Sequence, residues 1–113
     1  MAQRLIHHRG PAFKEVFGRV REGLEWLFET DSDVVTVTAS GTGAFEAAMT
    51  NFTSRGDTIV AVGGGKFGER WAEIGRRHEL DVVEVDVEWG EPLAPEKLRE
   101  VLDEHPETTM VTL

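Results

Sequence analysis

The chain has no cysteine in its 113 residues, which excludes a disulfide framework and any metal site built on thiolates. Long apolar runs are missing as well. No stretch approaches the roughly 20 residues needed to cross a bilayer, so no membrane partner is expected. The opening Met1-Ala2-Gln3-Arg4-Leu5-Ile6-His7-His8-Arg9 lacks the apolar core of a secretory leader. Lysine is scarce, with only Lys14, Lys66 and Lys97 among 12 basic residues. Against 21 acidic residues these leave a net charge of −9, a field that repels the phosphate backbone of nucleic acid. The composition is 40% hydrophobic and 29% charged, that of a globular chain with room for one domain. These properties lead to the expectation of a soluble, cytoplasmic protein that binds neither nucleic acid nor membrane.

Four short β-branched runs punctuate the sequence: Val34–Thr38, Ile59–Val62, Val82–Val85 and Met110–Leu113. Each is expected to be a strand, and the first two are apolar enough to be buried on both faces. Between them apolar residues recur at helical spacing: Phe45, Ala48, Met49 and Phe52; then Phe67, Trp71 and Ile74; then Leu98, Val101 and Leu102. Pro95 suits the first turn of the last helix, where a missing N–H is no loss. A longer helix comes first, with Phe13, Val16, Phe17, Val20, Leu24, Leu27 and Phe28 on one stripe. Gly18 and Gly23 weaken it, so packing is expected to hold it. This alternation predicts an α/β fold: an incomplete, mostly parallel sheet with right-handed crossovers and helices on both faces. The last strand has no helix after it, so the chain is expected to be a piece of a larger architecture.

Ligands in open α/β sheets sit outside the carboxyl ends of the strands, which directs attention to the loops there. The first, Thr38-Ala39-Ser40-Gly41-Thr42-Gly43, runs into a helix whose free N–H groups face the same spot. It can cup a phosphate or carboxylate, or Ser40 or Thr42 can simply cap the helix. The dinucleotide fingerprint fails, because Glu46 stands where a third glycine or alanine is needed. The phosphate-loop pattern of nucleotide hydrolases fails too, since Lys66 is followed by Phe67 and not by serine or threonine. The second loop, Gly63-Gly64-Gly65-Lys66-Phe67, places an aromatic ring at a helix mouth. Phe67 can stack on a flat heterocycle, or it can begin the apolar stripe of Trp71 and Ile74. The third loop, Asp86–Pro92, reads as a solvated connection. His7 and His8 are adjacent and not at ligand spacing, while His78 and His105 end helices, so no metal site is expected.

Taken jointly, Ser40-Gly41-Thr42-Gly43-Ala44-Phe45-Glu46-Ala47-Ala48, Gly56-Asp57 and Lys66-Phe67-Gly68-Glu69-Arg70-Trp71 resemble the class V aminotransferases of the alanine–glyoxylate and serine–pyruvate type. His8-Arg9 with Phe13-Lys14-Glu15 resembles the segment before the sheet in those enzymes. The resemblance implies a fold type I large domain over residues 1–113, truncated at both ends relative to the family. It implies pyridoxal 5'-phosphate as cofactor, with Ser40, Gly41 and Thr42 at its phosphate and Phe67 against its ring. It further implies a homodimer, and amino transfer between a small amino acid and a 2-oxo acid such as glyoxylate or pyruvate. None of Lys14, Lys66 and Lys97 matches the lysine that binds the cofactor covalently in the family. No residue is therefore assigned a catalytic role, cofactor binding is expected to be non-covalent and weak, and this chain alone is expected to be inactive. The alternative is a remnant that serves as an interaction or phosphate-ligand-binding module.

Overall fold

The computed structural model describes residues 5–113, so the reading of residues 1–4 as free of a leader lies outside the described residues. The chain divides into two compact units, residues 1–37 and residues 38–113.

The first unit is built on helix α1, Pro11–Leu27. Pro11 opens it at the position where proline's fixed φ is helical and its absent N–H is not needed. Phe13 and Phe17, one turn apart, stack with ring centroids 6.0 Å apart. The helix ends at Phe28, and Glu29 turns the chain with φ of 49°. None of its residues is buried, so the packing expected to hold it is not found among the described residues, and the Phe13–Phe17 pair is the support its stripe provides.

The second unit contains α2 (Gly41–Phe52), β1 (Thr58–Gly63), α3 (Lys66–Arg77), β2 (Asp81–Asp86), α4 (Pro95–Glu104) and β3 (Thr108–Thr112). The three strands form a parallel sheet in the order β2-β1-β3. The pairing of β1 with β2 runs without interruption from Thr58↔Asp81 to Gly63↔Asp86. That of β1 with β3 slips once, between Thr58 and Ile59. As the central strand, β1 is buried from Thr58 to Val62, which accounts for its unbroken apolar composition. Its side chains alternate between two cores. Ile59 joins Met49, Ile74 and Leu80 beneath α2 and α3, while Val60 and Val62 join Val85, with Leu98, Val101 and Leu102 of α4 packed against them. Helices thus cover both faces, as the sequence pattern requires. The Arg55-Gly56-Asp57 turn forms as expected, with Gly56 at φ of 84° and its N–H donating to the Glu79 carbonyl.

Two expectations are corrected. Val34–Thr38 forms no strand, and Val35 and Val37 are 80% and 62% exposed. A β-branched composition favours an extended backbone but does not supply the ladder partner that a strand requires. Phe52, placed on the apolar stripe of α2 by its spacing, is the last helical residue and is exposed.

Candidate functional site

Both glycine-rich loops lie in the second unit, and two helix mouths define the site. Ser40 is the N-cap of α2, and its Oγ accepts a hydrogen bond of 3.3 Å from the Gly43 N–H. The capping alternative therefore holds for Ser40, with a consequence for the other one. Accepting uses a lone pair and leaves the hydroxyl proton free to donate outward. The first N–H groups of a helix have no partner within it, and with Gly43 occupied those of Gly41 and Thr42 are left for an anion. Gly41 faces open space where a side chain would stand, whereas a Cβ on Gly43 would lie 2.7 Å from that of Ala39. Gly43 therefore permits the tight entry into α2, and Gly41 leaves the approach to its N–H clear.

The second mouth is that of α3. Phe67 is 76% exposed while Trp71 is half-buried and Ile74 fully buried, so Phe67 is not part of the core stripe. Its ring meets Phe45 of α2 edge-on, with centroids 6.5 Å apart and planes at 82°. Phe45 in turn stacks on Trp71 at 3.9 Å. These contacts join the second turn of α2 to the first turns of α3. Beside them a cleft of about 490 Å³ opens at the carboxyl ends of the strands, lined among others by Val62, Gly64, Phe67, Val87 and Leu113 but not by Ser40, Gly41 or Thr42. The third loop, expected to be only a solvated connection, takes part in this edge. Glu91 and Leu93 also line the cleft, and Lys66 Nζ sits 5.8 Å from the centre of the Trp89 ring.

The lysines have other partners. Lys66 donates to Glu69 Oε2 at 2.5 Å, and Lys97 donates to the Asp86 carbonyl at 2.6 Å. At the end of β3 the Thr112 hydroxyl is buried with no hydrogen-bond partner among the described residues. A buried orphan hydroxyl is a rare feature, and here it lies at the carboxyl end of the sheet.

Two glycines essential to this geometry do not stand out in the sequence. A Cβ on Gly68 would fall 2.2 Å from the Val62 carbonyl oxygen, and one on Gly75 would fall 2.7 Å from Ile59 Cδ1 and 3.0 Å from Val82 Cγ2. With the buried Ala72 they form a small-residue stripe that lets α3 lie directly on β1. The signal that could have found them is the Gly-x₃-Ala-x₂-Gly spacing, which puts all three on one helix face. Around the helix, Glu73 pairs with Arg70 and Arg77 as a solvated face, but Arg76 leaves it to bridge Glu84 on β2.

Comparisons with known proteins bear on the family and the fold. The profile of the aminotransferase class-V family matches residues 1–113. The chain belongs to the class-V aminotransferase family. Among relatives of this class-V chain, the soluble hydrogenase 42 kDa subunit of Anabaena cylindrica is 46% identical over 90% of the chain and 27% of its own length. The L-aspartate–glyoxylate aminotransferase of Paracoccus denitrificans is 36% identical over 86% of the chain and 25% of its own length. The crystal structure of alanine–glyoxylate aminotransferase from Nostoc sp. superimposes with a TM-score of 0.78 at 29% identity, over 90% of the chain and 27% of that structure. The architecture is accordingly that of the fold type I enzymes. The class-V chain spans about a quarter of the length of the relatives it matches. No helix among the described residues is long and apolar enough to cross a membrane.

Proposed function

We propose that these 113 residues are part of the large domain of a pyridoxal-phosphate-dependent transaminase. The intact protein moves an amino group between a small amino acid and a 2-oxo acid such as glyoxylate or pyruvate, as a homodimer. The observation that supports this reading is the edge-to-face contact of Phe67, exposed at the mouth of α3, with Phe45 of the helix that opens at Ser40.

The residues present fit the cofactor. Ser40 through its free hydroxyl proton, with the N–H groups of Gly41 and Thr42, would hold the phosphate. Each is exposed, and the cap at Gly43 keeps the turn in shape. Phe67 would lie against the flat ring, and its exposure leaves a face free for that contact. When bound, pyridoxal phosphate supplies an electron-withdrawing ring that acidifies the Cα–H of an attached amino acid. The contribution of this chain is binding and orientation. α2 directs its positive end at the phosphate, and the aromatic edge excludes water from one side of the ring. None of Lys14, Lys66 and Lys97 matches the lysine that binds the cofactor covalently in the family, and Lys66 and Lys97 are engaged by Glu69 and by the Asp86 carbonyl.

Binding of pyridoxal phosphate to the chain, followed by its visible absorbance and in competition with inorganic phosphate, tests the proposal. Gly41→Val projects a branched side chain into the approach to the free N–H groups and should abolish binding. Affinity unchanged by that substitution would overturn the assignment of Ser40–Gly43 to the phosphate.

A further inference from the structure

We propose that Phe45 is a positioning residue that holds the ring of Phe67 in place and thereby links the phosphate cup to the ring-stacking face; the inference rests on the pyridoxal-phosphate reading above. Phe67 is 76% exposed and belongs to neither core cluster. Left to itself, an exposed phenylalanine samples several rotamers, and a ligand that needs one of them must restrict the rest. The aromatic contact of its ring is with Phe45, which meets it at 82° with a centroid separation of 6.5 Å, the edge-to-face arrangement that aromatic quadrupoles favour.

Phe45 is itself anchored. Its ring stacks on Trp71 at 3.9 Å with planes 13° apart, and both rings pack against the cluster of Met49, Ile59, Ile74 and Leu80. A line of aromatic contacts thus runs from the core through Trp71 and Phe45 to the exposed ring. Phe45 also lies little more than one turn beyond Ser40 in α2, so the helix that presents the phosphate N–H groups carries the side chain that steadies the stacking ring. The cup at the start of α2 and the ring at the start of α3 are thereby linked through one side chain of α2, and a ligand that reaches the cup finds the ring already oriented.

The test is a double-mutant cycle on the full chain with Phe45→Leu, Phe67→Leu and the pair. The probes are pyridoxal phosphate, read by affinity and by the circular dichroism induced in its visible band, and inorganic phosphate alone. Phe45→Leu should weaken pyridoxal phosphate about three- to tenfold and diminish the induced signal, the scale expected for one aromatic pair. It should leave phosphate affinity unchanged and add nothing in the Phe67→Leu background, and Phe45→Tyr should restore wild-type behaviour. Equal loss for phosphate, or full additivity with Phe67→Leu, overturns the positioning role, as does wild-type affinity in Phe45→Leu. If Phe67→Leu itself binds as the wild type does, the ring-stacking assignment fails instead. A wild-type chain that binds no pyridoxal phosphate removes both.

Discussion

At the scale of the residue, the orphan hydroxyl of Thr112 makes a measurable difference. A buried hydroxyl without a partner costs roughly 1–3 kcal/mol relative to its solvated state. Valine has the same shape without that penalty, so Thr112→Val should stabilise the chain by about 1 kcal/mol. A urea midpoint that moves up with an unchanged slope would confirm it; a drop would reveal a hydrogen-bond partner for the hydroxyl. Glu107 offers a pH handle. Its own backbone N–H and then the His105 side chain hold its carboxyl below the ordinary value. Because the folded state favours the charged form, the contribution is present above the unfolded pKa and is lost as pH falls through the lowered one. Glu107→Gln should leave the acid-side stability unchanged and lower the neutral-pH value slightly, flattening the dependence by a small amount because the group is exposed. The proposed cup residues and Phe67 are legible in the sequence because glycine, hydroxyl and aromatic types stand together where a helix begins. Phe45 reads there only as a core position, since its edge contact with Phe67 crosses between two helices.

At the scale of the element, α3 and α1 respond oppositely to the same substitution. Gly68→Ala drives a methyl group against the Val62 carbonyl, which cannot rotate away, so α3 must lift from β1. Gly75→Ala meets the ends of the Ile59 and Val82 side chains, which can shift. Overpacking of this kind costs about 1–3 kcal/mol, and Gly68→Ala should be the worse of the two. At Gly18 and Gly23 of α1, a methyl group would meet nothing within 4 Å among the described residues. Alanine at either should raise helicity and stabilise α1 by roughly 0.5–1 kcal/mol. Far-UV circular dichroism on thermal unfolding separates these outcomes, and a neutral Gly68→Ala would refute the close packing of α3. Large apolar residues at helical or strand spacing reveal α2, α3, α4 and all three paired strands. The Gly68-Ala72-Gly75 stripe escapes because patterns of large residues carry no record of where a backbone must come close.

At the scale of the whole molecule, the net charge of −9 dominates. Self-repulsion of that size disfavours the compact state and is screened within about 10 Å at 0.1 M salt. The opposing pairs, such as Arg55 with Glu79 and Lys66 with Glu69, are exposed and individually worth at most about 1 kcal/mol. The melting temperature should therefore rise as KCl is raised from low ionic strength; a steady fall would mean that the surface pairs outweigh the repulsion. The same scale explains the unpaired Val34–Thr38 run. Its β-branched composition favours a conformation, but a ladder needs a second strand, and no run of residues carries its partner within itself.

The central place of β1 has a kinetic side. It precedes both of its neighbours in the chain; β2 joins one edge through α3, the connection through α4 then passes across β1 to set β3 on the other, and the amides of β1 exchange with solvent only when one of those flanks opens. Deuterium uptake should consequently be slowest along Ile59–Val62 and fastest at the outer edges of β2 and β3, tracing a gradient of protection from the middle of the sheet outward.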